Sequence, residues 1–166
     1  TPVSAARDDG PPRAFRPGMP ALDAFPFGLW ARLVARRYRQ PPRELLAYGD
    51  PAGYRPLREA VAAYLRESRA VRCAAEQVLI VPGTQAAVDL TARVLLDPGD
   101  AVWVEDPGYI GARGALRAAG AEVVPVPVDE QGMDVAAGAA RSPQARMAYV
   151  TPSHQYPLGV TMSPQR

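Results

Sequence analysis

Val78-Leu79-Ile80-Val81-Pro82-Gly83-Thr84-Gln85-Ala86-Ala87-Val88-Asp89-Leu90-Thr91-Ala92-Arg93-Val94-Leu95-Leu96 is the stretch whose reading decides the fold. The four apolar residues at its start predict a buried strand, Pro82-Gly83 a tight turn, and the spacing from Ala86 onward a helix. Such a corner aims the free N–H groups of the helix's first turn, with the positive end of its dipole, beyond the strand's carboxyl end. An anion seat is expected there. Gly83 allows close backbone approach, and the Thr84 hydroxyl either caps the helix or donates to the anion. Most strand-turn-helix corners bind nothing, so the other loops have to be weighed with it.

On the amino-terminal side, Leu29, Trp30, Leu33 and Val34 follow helical spacing until Pro41-Pro42 stops it. A turn-rich segment, Tyr48-Gly49-Asp50-Pro51-Ala52-Gly53-Tyr54, leads into a second helix with Pro56 in its first turn and Leu57, Val61, Tyr64 and Leu65 on one face. On the other side, Asp97-Pro98-Gly99-Asp100 predicts a turn, residues 101–105 a strand, and residues 109–119 a helix closed by Gly120. Residues 122–128 predict a strand that Pro125 and Pro127 push towards a sheet edge, residues 135–140 a short helix, and residues 147–151 another strand. Ser163-Pro164 has the form of a helix start. This alternation predicts an α/β fold: three layers around a mostly parallel sheet, with active loops at the strands' carboxyl ends.

Pro, Asp, Gly and Ala dominate the first residues, so residues 1–14 read as a linker or an N-terminal arm. The Pro-broken stretch that follows reads as an extended arm anchored by Phe15, Leu22, Phe25, Phe27 and Trp30. With 48% hydrophobic and 22% charged residues, a packed soluble core is expected. All 19 basic residues are arginines, and against 17 acids they leave a net charge of only +2, too weak a field to predict nucleic-acid binding by this chain itself. Arg36, Arg37, Arg39 and Arg43 read as a solvated helix face and its exit. One Cys, Cys73, excludes an intrachain disulfide and reads as inert. Without a signal-like or membrane-length apolar run, the expected compartment is the cytoplasm and no membrane is expected as a partner. No metal-ligand spacing is present.

Three loops leave carboxyl ends of predicted strands: Gly83-Thr84-Gln85, Asp106-Pro107-Gly108-Tyr109, and Pro152-Ser153-His154-Gln155-Tyr156-Pro157-Leu158-Gly159. The first offers an anion seat, the second a flat aromatic, and the third mixed hydrogen-bonding groups. Together they suit a flat, phosphorylated ring. Taken singly, Tyr109 either stacks on a ligand or caps the core. His154, the single His, is a loop hydrogen-bonder unless a nucleophile or metal stands beside it.

In that order, these loops resemble those of pyridoxal-phosphate enzymes of aminotransferase fold type I, the class I/II aminotransferases. The chain looks most like the aminotransferase-like domain of the MocR branch of GntR-type transcription regulators. The motifs that carry this resemblance are Phe15-Arg16-Pro17-Gly18 with Phe25-Pro26 and Trp30, the Tyr48 to Tyr54 segment, Glu105-Asp106-Pro107-Gly108-Tyr109, and Thr151-Pro152-Ser153-His154-Gln155-Tyr156-Pro157-Leu158-Gly159. The His-Gln-Tyr-Pro run is what favours the regulators over free aminotransferases. The resemblance implies that Gly83, Thr84 and Gln85 hold the phosphate of pyridoxal 5'-phosphate and that Tyr109 stacks on its ring. It implies that Tyr48 reaches the phosphate of a partner subunit's cofactor, making the intact protein a homodimer. Tyr156 stands where many aminotransferases carry an Asn that meets the ring hydroxyl, and its departure hands that role to His154 or its neighbours. Leu158 replaces the commoner Thr.

In the family the cofactor is held as a Schiff base on a Lys amine, facing an acid, and both lie downstream of the Pro-x-Gly loop. This chain has no Lys. Residues 15–166 are therefore expected to be the N-terminal part of a cofactor-binding domain, incomplete in its sheet and unable to transaminate alone, so no catalytic residue is assigned. Two functions follow from the resemblance. One is the effector-sensing domain of a regulator that touches DNA only through an upstream domain. The other is a piece of a free aminotransferase. In both, a small amino compound is the expected effector or substrate.

Overall fold

The computed structural model describes residues 20–166, so the expected linker at 1–14 and the Phe15 anchor lie outside the described residues. The chain forms two compact units that meet in sequence at Pro82.

The first unit carries α1 (Phe27–Arg39) and α2 (Arg55–Arg69), with short 3-10 turns at Leu22–Ala24, Arg43–Leu46 and Ala75–Gln77. Phe25 meets Phe27 and Trp30 edge-on at 4.8 and 6.0 Å between ring centroids, and all three rings stay exposed. Between the helices, Asp50 organises the turn. Its Oδ1 accepts from Ala52 N–H at 2.8 Å, while its Oδ2 pairs with the buried Arg58 at 2.6 Å. Pro56 fits the first turn of α2, where no N–H is missed.

Val78–Val81 corrects the sequence reading. The segment is extended at Val78 (φ −99°, ψ 122°) yet joins no ladder among the described residues. Its Ile80 N–H instead donates to Ala52 O at 2.9 Å. Gly53 makes this approach possible, with φ +102° and a position where any Cβ would fall 2.6 Å from Ile80 Cβ. Extended, apolar residues need a partner's backbone to become a strand, and here the turn supplies a single bond.

The second unit contains α3 (Thr84–Leu95), β1 (Ala101–Asp106), α4 (Ile110–Ala118), β2 (Glu122–Asp129), β3 (Gly132–Met133), α5 (Val135–Arg141) and β4 (Met147–Tyr149). The sheet order is β3-β2-β1-β4; β1 pairs parallel with both β2 and β4, and the short β3 turns back antiparallel on β2. Period-two alternation sends Val102 and Val104 of β1 to one face, where they pack with Ala92 of α3 and Leu116 of α4. Trp103 faces the other way, its indole lying over Gly138 of α5 and donating to Ser142 O at 2.9 Å. Helices on both faces of a mostly parallel sheet make the expected three-layer α/β fold.

Pro125 and Pro127 do not break β2. A strand residue turns its N and C=O to the same side, and the Pro127 and Pro125 carbonyls point away from β1, accepting from Asp134 N–H at 2.8 Å and from the Arg141 guanidinium. The missing N–H groups therefore lie on the side that needs no parallel ladder. That side is an edge except where β3 covers Val128 and Asp129. Ser163-Pro164 opens a turn, closed by Arg166 N–H on Ser163 O at 3.1 Å. Among the described residues, no helix is long and apolar enough to cross a membrane.

Candidate functional site

Within the second unit, the three loops leave Gly83, the end of β1 and the end of β4. Gly83 is the N-cap of α3, at φ +135° and ψ 175°, a conformation that suits only glycine, and open space surrounds the place of its absent side chain. No side-chain cap closes this helix start, so its first N–H groups keep their capacity for an anion. Thr84 is the first helical residue and is exposed.

Gln85, the second residue of α3, turns its side chain to Tyr109. Its Nε2 donates to the Tyr109 hydroxyl at 3.1 Å, so its side chain is committed to the aromatic ring and its backbone N–H is the group left for a phosphate. Tyr109 caps α4 and is half-buried. Tyr156 stands edge-on to it, centroids 6.5 Å apart and planes at 87°. Gly111 completes the corner: a Cβ there would run into the Gln85 amide and the Tyr109 ring, so only glycine leaves them room. Gln85, Tyr109, Gly111 and Tyr156 line an open groove of about 450 Å³, within the size range of small-ligand sites.

Beneath the groove lies a polar knot that sequence reasoning missed. Glu105, 2% exposed, accepts from Thr151 N–H at 3.1 Å, from Thr151 Oγ1 at 2.5 Å and from Gln155 Nε2 at 3.1 Å. Gln155, also 2% exposed, donates a second bond to Pro107 O at 2.9 Å and accepts from Leu158 N–H at 3.1 Å. On the other side of the second loop, Arg113 donates to Glu105 O at 2.6 Å and to Asp106 Oδ1 at 2.8 Å. The available signal was an acid closing an apolar strand run at Val104-Glu105; its partners, 46 and 50 residues away, left none. Nearby, burial above all, with smaller pushes from Tyr109 and Glu105, holds the Tyr149 phenol above its ordinary pKa, so it is protonated at neutral pH.

His154 is exposed and takes φ +58° beside the buried Gln155. Tyr48 belongs to the first unit and is wholly exposed. Among the described residues, no group of three or more His, Cys, Asp or Glu is placed to hold a metal.

The model of the family "Aminotransferase class I and II" matches residues 30–165. The chain belongs to the class I and II aminotransferases. It is 50% identical over 149 residues to a probable rhizopine catabolism regulatory protein, MocR, of Rhizobium meliloti, covering 90% of this chain and 30% of that protein. It is 36% identical over 142 residues to an HTH-type transcriptional regulator, YdeL, of Bacillus subtilis, covering 86% of this chain and 30% of that protein. Among solved structures it is similar to the α-aminoadipate aminotransferase LysN of Thermus thermophilus, complexed with N-(5'-phosphopyridoxyl)-L-leucine, at TM-score 0.78 and 36% identity, covering 90% of this chain and 37% of that one. The chain thus spans about a third of the length of the relatives it matches.

Membership in this aminotransferase family carries pyridoxal 5'-phosphate as cofactor. The donor set of this chain fits that group: an uncapped helix start whose Gly83 leaves space for a phosphate, and two tyrosine rings beside a groove cleared by Gly111.

Proposed function

We propose that this chain is part of the pyridoxal-phosphate-binding, effector-sensing domain of a MocR-type transcription regulator, with Gly83, Thr84 and Gln85 at the phosphate and Tyr109 on the ring. The observation that carries the cofactor assignment is the uncapped start of α3 with its open Gly83, where Gln85 reaches the Tyr109 hydroxyl and lines one groove with Tyr109 and Tyr156. The 50% identity to a regulator favours the sensing role. The cofactor, when bound, supplies an electron-poor ring and an aldehyde for amines. This chain's own share is to bind and orient. The α3 N–H groups and the Thr84 hydroxyl would hydrogen-bond the phosphate, Tyr109 would cover one ring face, and Tyr156 and His154 would meet the ring's substituents. Glu105 holds the third loop through Thr151 and Gln155.

This reading extends to a homodimer of the whole protein. Tyr48, exposed in its own unit, is available to a partner subunit's cofactor, and the exposed apolar residues Phe27, Trp30 and Leu33 of α1 are a surface that association would cover. DNA contact would come from a separate domain, in keeping with the small net charge here, and the working compartment would be the cytoplasm. Residues 15–166 would be the N-terminal part of the cofactor domain and residues 1–14 a linker or an N-terminal arm. The test is a gel-shift titration of the full-length protein on DNA flanking its own gene, with and without pyridoxal 5'-phosphate. Retarded DNA whose affinity changes with the cofactor supports the regulator. The similarity to LysN sustains a second reading, a free aminotransferase; keto acid formation from an amino acid, with no DNA shift, would favour it.

A further inference from the structure

We infer that Glu105 and Gln155 are positioning residues for the cofactor, acting as a buried strut that fixes the third loop and so aims Tyr156 and His154 at the groove. This rests on the cofactor reading above, while the strut itself stands on geometry alone. A carboxylate buried in a sheet is costly unless hydrogen-bonded, and every donor to the Glu105 carboxylate among the described residues comes from the segment after β4: Thr151 twice and Gln155 once. Gln155 is in turn saturated. Both amide hydrogens are used, on Glu105 and Pro107 O, its Oε1 accepts from Leu158, its backbone N–H donates to Val160 O at 2.9 Å, and its carbonyl accepts from Gly159.

One side chain therefore ties the second loop, which carries Tyr109, to the third, which carries His154 and Tyr156. Its two chain neighbours are exposed while it is buried, so locking residue 155 inward turns its neighbours outward. His154 adopts a left-handed conformation there, as the loop's path requires. A polar knot in which the Glu105 carboxylate and the Gln155 amide are both hydrogen-bonded specifies a single loop geometry, where apolar packing would tolerate several.

Donor-acceptor logic sets the test. Glu105→Gln replaces one carboxylate oxygen with an NH2 that meets a donor on either side, the Thr151 N–H or the NH2 of Gln155, and Gln155→Leu removes both amide bonds and the acceptor of the Leu158 N–H. Hydrogen exchange in the cofactor-free full-length protein should show the Thr151 and Leu158 amides about tenfold faster in Glu105→Gln and in Gln155→Leu. Circular dichroism induced in bound pyridoxal 5'-phosphate, taken per mole bound, should change in both single variants and stay at the wild-type value in Leu116→Ala, a core control that loses stability without touching the strut. Equal exchange in all variants, or an induced band that follows stability alone, overturns the inference. A wild type with no induced band overturns the cofactor reading instead, and the exchange rates still judge the strut.

Discussion

His154 and Gly111 show how single positions set the loops and the groove between them. At φ +58°, a β-carbon crowds the neighbouring carbonyl, and a β-branched residue suffers most. His154→Val is expected to lose about 1–2 kcal/mol in denaturant unfolding, whereas His154→Gly should stay within about 0.5 kcal/mol, relief of strain offsetting the added freedom of the unfolded chain. At Gly111 the added methyl of Ala would displace the Gln85 amide and the Tyr109 ring. Gly111→Ala should therefore weaken binding of pyridoxal 5'-phosphate by a direct titration while leaving α4 intact by far-ultraviolet circular dichroism. Thr84→Ala should lower the same affinity by about 1.5–3 kcal/mol, the worth of a hydrogen bond to a charged group. Unchanged affinity would return Thr84 to an ordinary first-turn residue.

At the scale of elements, the β2–β3 hairpin is clamped from outside. Asp129 accepts from Gln131 N–H at 2.8 Å and pairs with Arg166, which also donates to Met133 O at 2.7 Å. The Gln131 bond first, then Arg166, holds the Asp129 carboxyl below its ordinary value. A carboxyl whose folded pKa is depressed stabilises the fold above its unfolded value and ceases to do so as pH falls through the folded one. Thermal melts at decreasing pH below the ordinary carboxylate range should show Asp129→Asn losing less stability than the wild type. On the opposite face, Gly138→Ala would drive a methyl into the Trp103 indole, 2.9 Å from Cε3, and is expected to cost about 1–3 kcal/mol as overpacking. Helices and strands of the second unit were legible because apolar periodicity and Gly/Pro punctuation mark them. The β3 return was not, since two residues carry no period, and Val78–Val81 misled because an apolar run states burial without naming its backbone partner.

For the whole molecule, the alternating pattern and three loops sufficed for the α/β class and the family. The groove's aromatic wall was also readable, since Tyr109 and Tyr156 each follow a predicted strand. What lay beyond reading was long-range polar pairing: the Gln85 amide on Tyr109, and Glu105 with Thr151 and Gln155. Hydrogen bonds across 24 to 50 residues leave no local signature, because each end alone looks like an ordinary loop or strand residue. The central claim, that the start of α3 seats a phosphate beside Tyr109, concerns one functional group of one ligand. Equilibrium titration of the full-length protein with pyridoxal 5'-phosphate and, separately, with pyridoxal tests it most directly. The account predicts saturable binding of the phosphorylated compound and much weaker binding of pyridoxal, which lacks the group that the helix start receives. Equal affinity for the two, or binding of neither, would contradict it.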